Sequence, residues 1–327
     1  MAVRTDYLEE IRLFKGAAGK AWFGLLVAIL LVIPATVESY LVFLVALAAT
    51  HIIIAVGLNL LTGYTGQISL GHAGFIAIGA YTSSLLMLKL NAPFALALPA
   101  AGLVSGLFGF LLAFPALRLT GPYLAVATLG FGIAVAQVLV KWEALSGGSL
   151  GLHPPKPTFG PLSINSDTRF YFLAIITMLL MTIAAANLVK SKIGRAFIAI
   201  RDSEIAAQAM GVDVPLYKTL AFATSAFYAG IGGSLMGHLV GYINPDSFNV
   251  AASIYFLSMI VIGGLASILG SILGSIFMTA LTHLLSDVKS LPMAIYGTLL
   301  ILVVIFEPYG LWGRWRKVRL YWRSWPF

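Results

Sequence analysis

Charge and cysteine are what this chain is short of. Only 10% of its 327 residues are Asp, Glu, Lys or Arg, and none is Cys. Without cysteine there is no disulfide and no thiolate metal site, and nothing is said of redox compartment. Scarce charge excludes more. With 60% hydrophobic residues and a mean hydropathy of +0.96, a soluble domain would lack the polar surface to cover itself. Also missing are a Gly-x4-Gly-Lys-Ser/Thr loop, hence any phosphate cradle, and a His-Glu-x-x-His or clustered-carboxylate metal set. The composition is that of an integral membrane protein.

Long uncharged runs make up most of what is there. Fifty residues between Glu38 and Lys89 carry no charge, and further such windows run from Leu90 to Leu117, Leu119 to Val140, Phe170 to Val189, Thr219 to Pro245, Ser247 to Ser286 and Ser290 to Phe306. A helical span needs about 20 apolar residues. Divided at Gly, Pro and charge, the windows predict an all-α, polytopic transmembrane helix bundle of about ten segments (eight to ten), with Gly-rich broken or half helices. The segments are 21–37, 40–61, 68–88, 93–115, 121–140, 170–189, 217–240, 250–264, 267–286 and 291–306. The first follows a mixed-charge tail and lacks a small-residue cleavage site, so it reads as an uncleaved span.

Lys and Arg set the orientation. With ten spans and both ends inside, 15 of the 20 basic residues are cytoplasmic. They fall in a tail at 1–20, at Arg118, between Lys190 and Lys218, and in a basic tail at 314–327. The membrane-embedded body is 21–313. Topology and anionic headgroups account for the net charge of +8 better than nucleic acid does.

Two connections exceed a tight turn. An external loop at 141–169 is rich in Gly and Pro and is expected to be ordered but irregular. Within it Gly147-Gly-Ser-Leu-Gly151 fits Gly-x-Ser-x-Gly, without the strand–turn–helix context a nucleophile needs. A cytoplasmic segment at 190–216 predicts one short surface helix, capped by Asp202 or Ser203, started by Glu204 and stopped by Gly211 before Pro215. Its Ile205, Ala209 and Met210 share a face that either lies on headgroups or docks into a partner.

The least regular stretch is Gly57-Leu-Asn-Leu-Leu-Thr-Gly-Tyr-Thr-Gly-Gln-Ile-Ser-Leu-Gly-His-Ala-Gly74. Irregular backbone at bilayer depth is tolerated only when buried in protein or lining a cavity. The segment therefore points to a solute path. Small-residue stripes at Gly233, Gly237 and Gly241, and at Ala266, Gly270 and Gly274, read as helix packing. His238 and His283 are expected to bond neighbouring helices.

Several motifs occur in a fixed order: Gly57 to Tyr81, Gly121-Pro-Tyr-Leu-Ala-Val-Ala-Thr-Leu-Gly-Phe-Gly132, Gly194-Arg-Ala to Gly211, Asn244-Pro-Asp-Ser-Phe248 and Gly263-Gly-Leu-Ala-Ser267. Together they resemble the M-type permease of branched-chain amino acid ABC importers, from about Leu41 to Gly313. The resemblance implies an H-type permease partner, two ATPase subunits that use ATP and Mg, an external solute-binding protein, and no cofactor on this chain. It also implies that Arg201, Asp202, Glu204, Ile205, Ala206, Ala207 and Gly211 couple to the ATPases, although Ile205 stands where the family often has Ala.

A zwitterion crossing hydrocarbon needs neutral donors and acceptors. On that ground Asn59, Gln67, Ser69 and His72 are candidates for the translocation path, with Asn59 bracing the break, and Gly63, Gly66, Gly71 and Gly74 for close approach or a helix break; helix packing is the competing reading. Trp142 and His153 are candidate binding-protein contacts. A related sugar or nucleoside importer is the nearest alternative. A secondary transporter would bury an ionisable relay, whereas Glu38, Asp246, Asp287 and Glu307 all fall near span ends.

Overall fold

The computed structural model of the chain describes residues 17–119, 121–159, 162–163, 167–285, 297–298, 301–303, 305–306 and 310–324. Helices dominate them: α1 (Ala17–Thr36), α2 (Ser39–Thr65), α3 (His72–Leu90), α4 (Phe94–Ala116), α5 (Pro122–Lys141), α6 (Asp167–Lys190), α7 (Lys192–Asp202), α8 (Glu204–Ala209), α9 (Val214–Val240), α10 (Val250–Gly263), α11 (Ile268–Leu284) and α12 (Gly310–Ser324). Two two-residue strands, Thr158–Phe159 and Leu162–Ser163, pair antiparallel in the loop after α5.

Among the described residues, six helices are long and apolar enough to cross a membrane: α2, α3, α4, α5, α6 and α9. The ten-segment expectation is thus met only in part. The segments expected at 250–264 and 267–286 are the shorter α10 and α11, of 14 and 17 residues. At 1.5 Å per residue α10 is about 21 Å long, less than the hydrocarbon thickness. The segment at 291–306 lies largely outside the described residues.

Helix α9 is the hub, packed against α2, α3 and α4. Lipid tails are as apolar as the side chains, so association here rests on close packing, and glycine makes that packing close. A Cβ on Gly230 would strike the Ala101 carbonyl and the Ser105 side chain, one on Gly79 the backbone of Gly230, and one on Gly233 the Ile76 carbonyl. Two stripe residues do otherwise than expected. Gly241 is the left-handed C-cap of α9 (φ +72°), and Ala266 sits in the α10–α11 turn at φ +54°. Gly270 and Gly274 do pack, against the backbone of Gly263 and Met259.

Both histidines bond neighbouring elements. His238 Nδ1 lies 2.9 Å from the Pro155 carbonyl, and His283 Nδ1 lies 2.8 Å from the Tyr40 hydroxyl.

Candidate functional site

Helix α2 ends because Gly66 adopts φ +72° and its N–H turns back to Leu61. Helix α3 does not begin until His72, four residues later than expected. The His72 ring stands beside the backbone of Ile54, eleven residues before the end of α2, or about 17 Å along its axis. Six extended residues can cover that distance. Residues 66–71 therefore climb back along α2, and α3 starts well inside the bundle.

Backbone without helix at this depth needs partners, and neighbouring side chains supply them. Thr62 Oγ1 donates to the Gln67 carbonyl at 3.1 Å. Thr128 of α5 accepts from Leu70 N at 3.0 Å, and Ser253 of α10 accepts from Ala73 N at 3.0 Å. These three hydroxyls hold the break open, and sequence reasoning missed their role. The signals were that Thr62 lies in the quoted Gly57–Gly74 stretch and Thr128 in the quoted Gly121–Gly132 motif. The glycines allow the approach: a Cβ on Gly71 would strike the Thr128 carbonyl, and one on Gly74 would come within 3.1 Å of Gly132 Cα.

The break alternates like a strand. Gln67 and Ser69 are buried, Ile68 is 43% exposed, and Leu70 lines an open cleft of about 310 Å³. Other parts of the cleft wall come from α5 (Leu129, Ile133, Gln137) and from residues 245–253, Asp246, Asn249 and Ser253 among them. Thus apolar Leu70 faces the cleft, and the polar candidates lie behind it. Ser69 Oγ is buried with no hydrogen-bond partner among the described residues, and the buried His72 ring has the Ile54 backbone beside it without a well-formed hydrogen bond.

Asn59 is committed elsewhere. Its Nδ2 donates to the Ser267 carbonyl (3.0 Å) and to Ser271 Oγ (2.7 Å), and its Oδ1 accepts from Ala266 N (3.0 Å). It braces α2 against the α10–α11 turn. Gly63 stands beside that brace, where a Cβ would strike Asn59 Oδ1 and Ala266 N. Gly66 instead touches the Arg201 side chain, which ties the end of α2 to α7.

The 190–216 segment holds two helices where one was expected. Helix α7 was legible: Ser191 caps Ile193 N, and Ala196, Phe197 and Ile200 recur at helical spacing on its buried face. Ser203 then caps α8 by accepting from Ala206 N at 3.2 Å, and Gly211 follows at φ +84°. Of the coupling candidates, Ala207 is buried against Ile200 and Val214. Ile205 and Met210 project, 85% and 84% exposed. Glu204 meets Lys218 of α9 at 2.6 Å, and Arg201 pairs with Asp202 at 2.9 Å.

At the other end of α9 the two loops are zipped together. Leu152 and Ile243 exchange backbone hydrogen bonds of 2.8 and 2.9 Å, and Tyr242 Oη donates to the Leu150 carbonyl at 3.1 Å. The His153 ring lies 5.0 Å from that of Tyr242, and Trp142 is exposed at the end of α5. Ser149 occupies a 3-10 turn flanked by left-handed Gly148 and Gly151. A short helix, Glu143–Ser146, precedes it rather than a strand, so the nucleophile-elbow geometry is missing.

Residues 40–306 match the family described as the permease component of branched-chain amino acid transport systems. The chain belongs to this family. It is 35% identical over 302 residues to the high-affinity branched-chain amino acid transport system permease protein LivM of Salmonella typhimurium, covering 85% of this chain and 71% of that protein. LivM of Escherichia coli matches to the same extent. LivH of Salmonella typhimurium is 26% identical over 303 residues, covering 85% of this chain and 97% of its own. No solved structure matches. The break, helix α8 and the α5 cleft all lie within the matched residues.

Proposed function

We propose that this chain is the M-type half of a paired permease in an ATP-driven importer of branched-chain amino acids. The observation that carries the reading is the likeness to LivM along 85% of the chain. The weaker likeness to LivH supports a homologous H-type partner. Two ATPase subunits, using ATP and Mg, would seat on α8, and an external solute-binding protein on the zipped loops around Trp142 and His153. Both termini would then be cytoplasmic, as the distribution of Lys and Arg requires.

The cleft gives the path. Its Leu70, Leu129 and Ile133 suit an apolar side chain, and Gln137, Asn249 and Asp246 offer polar contacts for a zwitterion at the mouth. Ser69, unpartnered behind the wall, and His72 beside it become available when α5 slides on the Gly71, Gly74 and Gly132 contact. Gln67 sits at the inner end of the same segment, and Asn59 keeps the break in register. Nucleotide-driven motion of α8 reaches α9 through the Glu204–Lys218 pair, and α9 carries it to α3 and α4. Among the described residues no carboxylate is buried, which favours this route over an ion-coupled relay.

Reconstitution with an H-type permease, both ATPases and a binding protein tests the reading. ATP-dependent uptake of labelled leucine, competed by valine and isoleucine and unaffected by ribose, is the expected result. Competition by ribose alone would move the chain to the sugar importers. Uptake driven by an ion gradient without ATPases would overturn the proposal.

A further inference from the structure

Helix α12 has a composition unlike the rest of the bundle. Its sequence, Gly-Leu-Trp-Gly-Arg-Trp-Arg-Lys-Val-Arg-Leu-Tyr-Trp-Arg-Ser, holds five basic residues and no acidic one among 15. Leu311, Trp315 and Val318 are exposed, and their spacing of four and three residues sets them on one face. By the same register, positions 316, 319 and 323 flank that face on one side and 314 and 317 on the other.

The helix starts where the α7 and α8 end of the bundle is closed. Gly310, at φ +66°, is seated so tightly on the α10–α11 turn that a Cβ would come within 2.6 Å of Gly264 N. Trp312 and Gly313 line a pocket of about 360 Å³ with Tyr64 and with residues 265–269. Tyr64 lies at the end of α2, the end that touches Arg201. An apolar, Trp-bearing stripe bordered by bases and lying beside the end of a membrane bundle has the chemistry of a helix in the interface plane.

We propose that α12 is an in-plane anchor that binds the anionic phospholipid headgroups of the cytoplasmic leaflet. Leu311, Trp315 and Val318 enter the boundary between headgroups and acyl chains, and the net positive charge of the helix is drawn to lipid phosphate. Since the first residue of α12 sits on the Gly264 turn, lipid docking also fixes the α10–α11 hairpin that Asn59 braces. This proposal is independent of the cargo.

The chain is free of cysteine, so Val318→Cys can carry a single environment-sensitive fluorophore in the full-length protein. The labelled protein is placed in nanodiscs of phosphatidylcholine, or of phosphatidylcholine mixed with phosphatidylglycerol, with brominated acyl chains as quencher. Strong quenching in the mixed lipid and weak quenching in the neutral one is expected. Changing Arg316, Lys317, Arg319 and Arg323 together to Gln should abolish the difference, since each charge near such a surface is worth about five-fold in the docked-to-free ratio. Should that variant misfold, molar salt on the unmutated protein is the second measurement, because a Debye length of about 3 Å should release the helix. Absence of quenching in the mixed lipid, or equal quenching in both lipids, overturns the proposal. So does shielding of the label that appears only when ATPase subunits are added.

Discussion

Replacing Asn59 with alanine separates a brace from a path-lining residue. The side chain makes three hydrogen bonds to the α10–α11 region, each worth about 1 kcal/mol net. The partners are not equally exposed to the loss. The Ser267 carbonyl still accepts from Ser271 N at 2.9 Å, and Ser271 Oγ can still donate to that carbonyl at 3.3 Å. Ala266 N has no such substitute and would be left unpaired at a residue already held at φ +54°, adding roughly 1–3 kcal/mol. We therefore expect Asn59→Ala to destabilise the folded protein by about 3 kcal/mol, and Ser271→Ala by about 1 kcal/mol. Thermal melting of the purified protein, followed by retention of the monodisperse peak on size exclusion, measures the order of the two. Leucine uptake is then normalised to the amount of folded complex. A brace predicts a large fall in melting temperature with normal turnover per surviving complex. If Asn59→Ala melted like the unmutated chain while turnover collapsed, the brace argument would be wrong and the side chain would belong to the path.

Three further outcomes follow from the same geometry. Gly71→Ala drives a methyl into the Thr128 carbonyl, which should cost about 1–3 kcal/mol and slow transport beyond what the loss of assembled complex explains; an assembled variant with full turnover would separate α5 from the break. Glu204→Gln removes the negative charge that faces Lys218, whose side chain is only 6% exposed, at 2.6 Å, while leaving an amide oxygen to accept from it; because Glu204 is half exposed, about 1 kcal/mol is expected, read as a lower ratio of leucine moved to ATP hydrolysed, and an unchanged ratio would remove the pair from the coupling route. Tyr242→Phe together with Asn244→Ala deletes two side-chain bonds to the 149–150 backbone and should raise the binding-protein concentration needed for half-maximal uptake several-fold, with maximal uptake retained; a fall in maximal uptake alone would make the zipped loops a structural cover.

Scarce charge, long apolar runs and their punctuation determined by themselves that this is a helical membrane protein, and the ordered motifs pointed to its family. The reason is that bilayer solvation acts residue by residue, so composition within a 20-residue window is enough. Caps were legible for the same local reason, as at Ser203 and Gly211. Tertiary structure decided what the polar residues near Gly66 do. Asn59 reads as a path group that braces the break, but what it braces against is not visible until Ala266, Ser267 and Ser271, more than 200 positions away, are brought to its amide. Gln67 and Ser69 read as path-facing because they are polar, yet the extended backbone alternates sides and presents Ile68 and Leu70 instead. The depth at which α3 begins was also hidden. It is set by hydroxyls on α2, α5 and α10 that pair with the broken backbone, and such pairing across helices leaves no periodicity in the sequence that carries it.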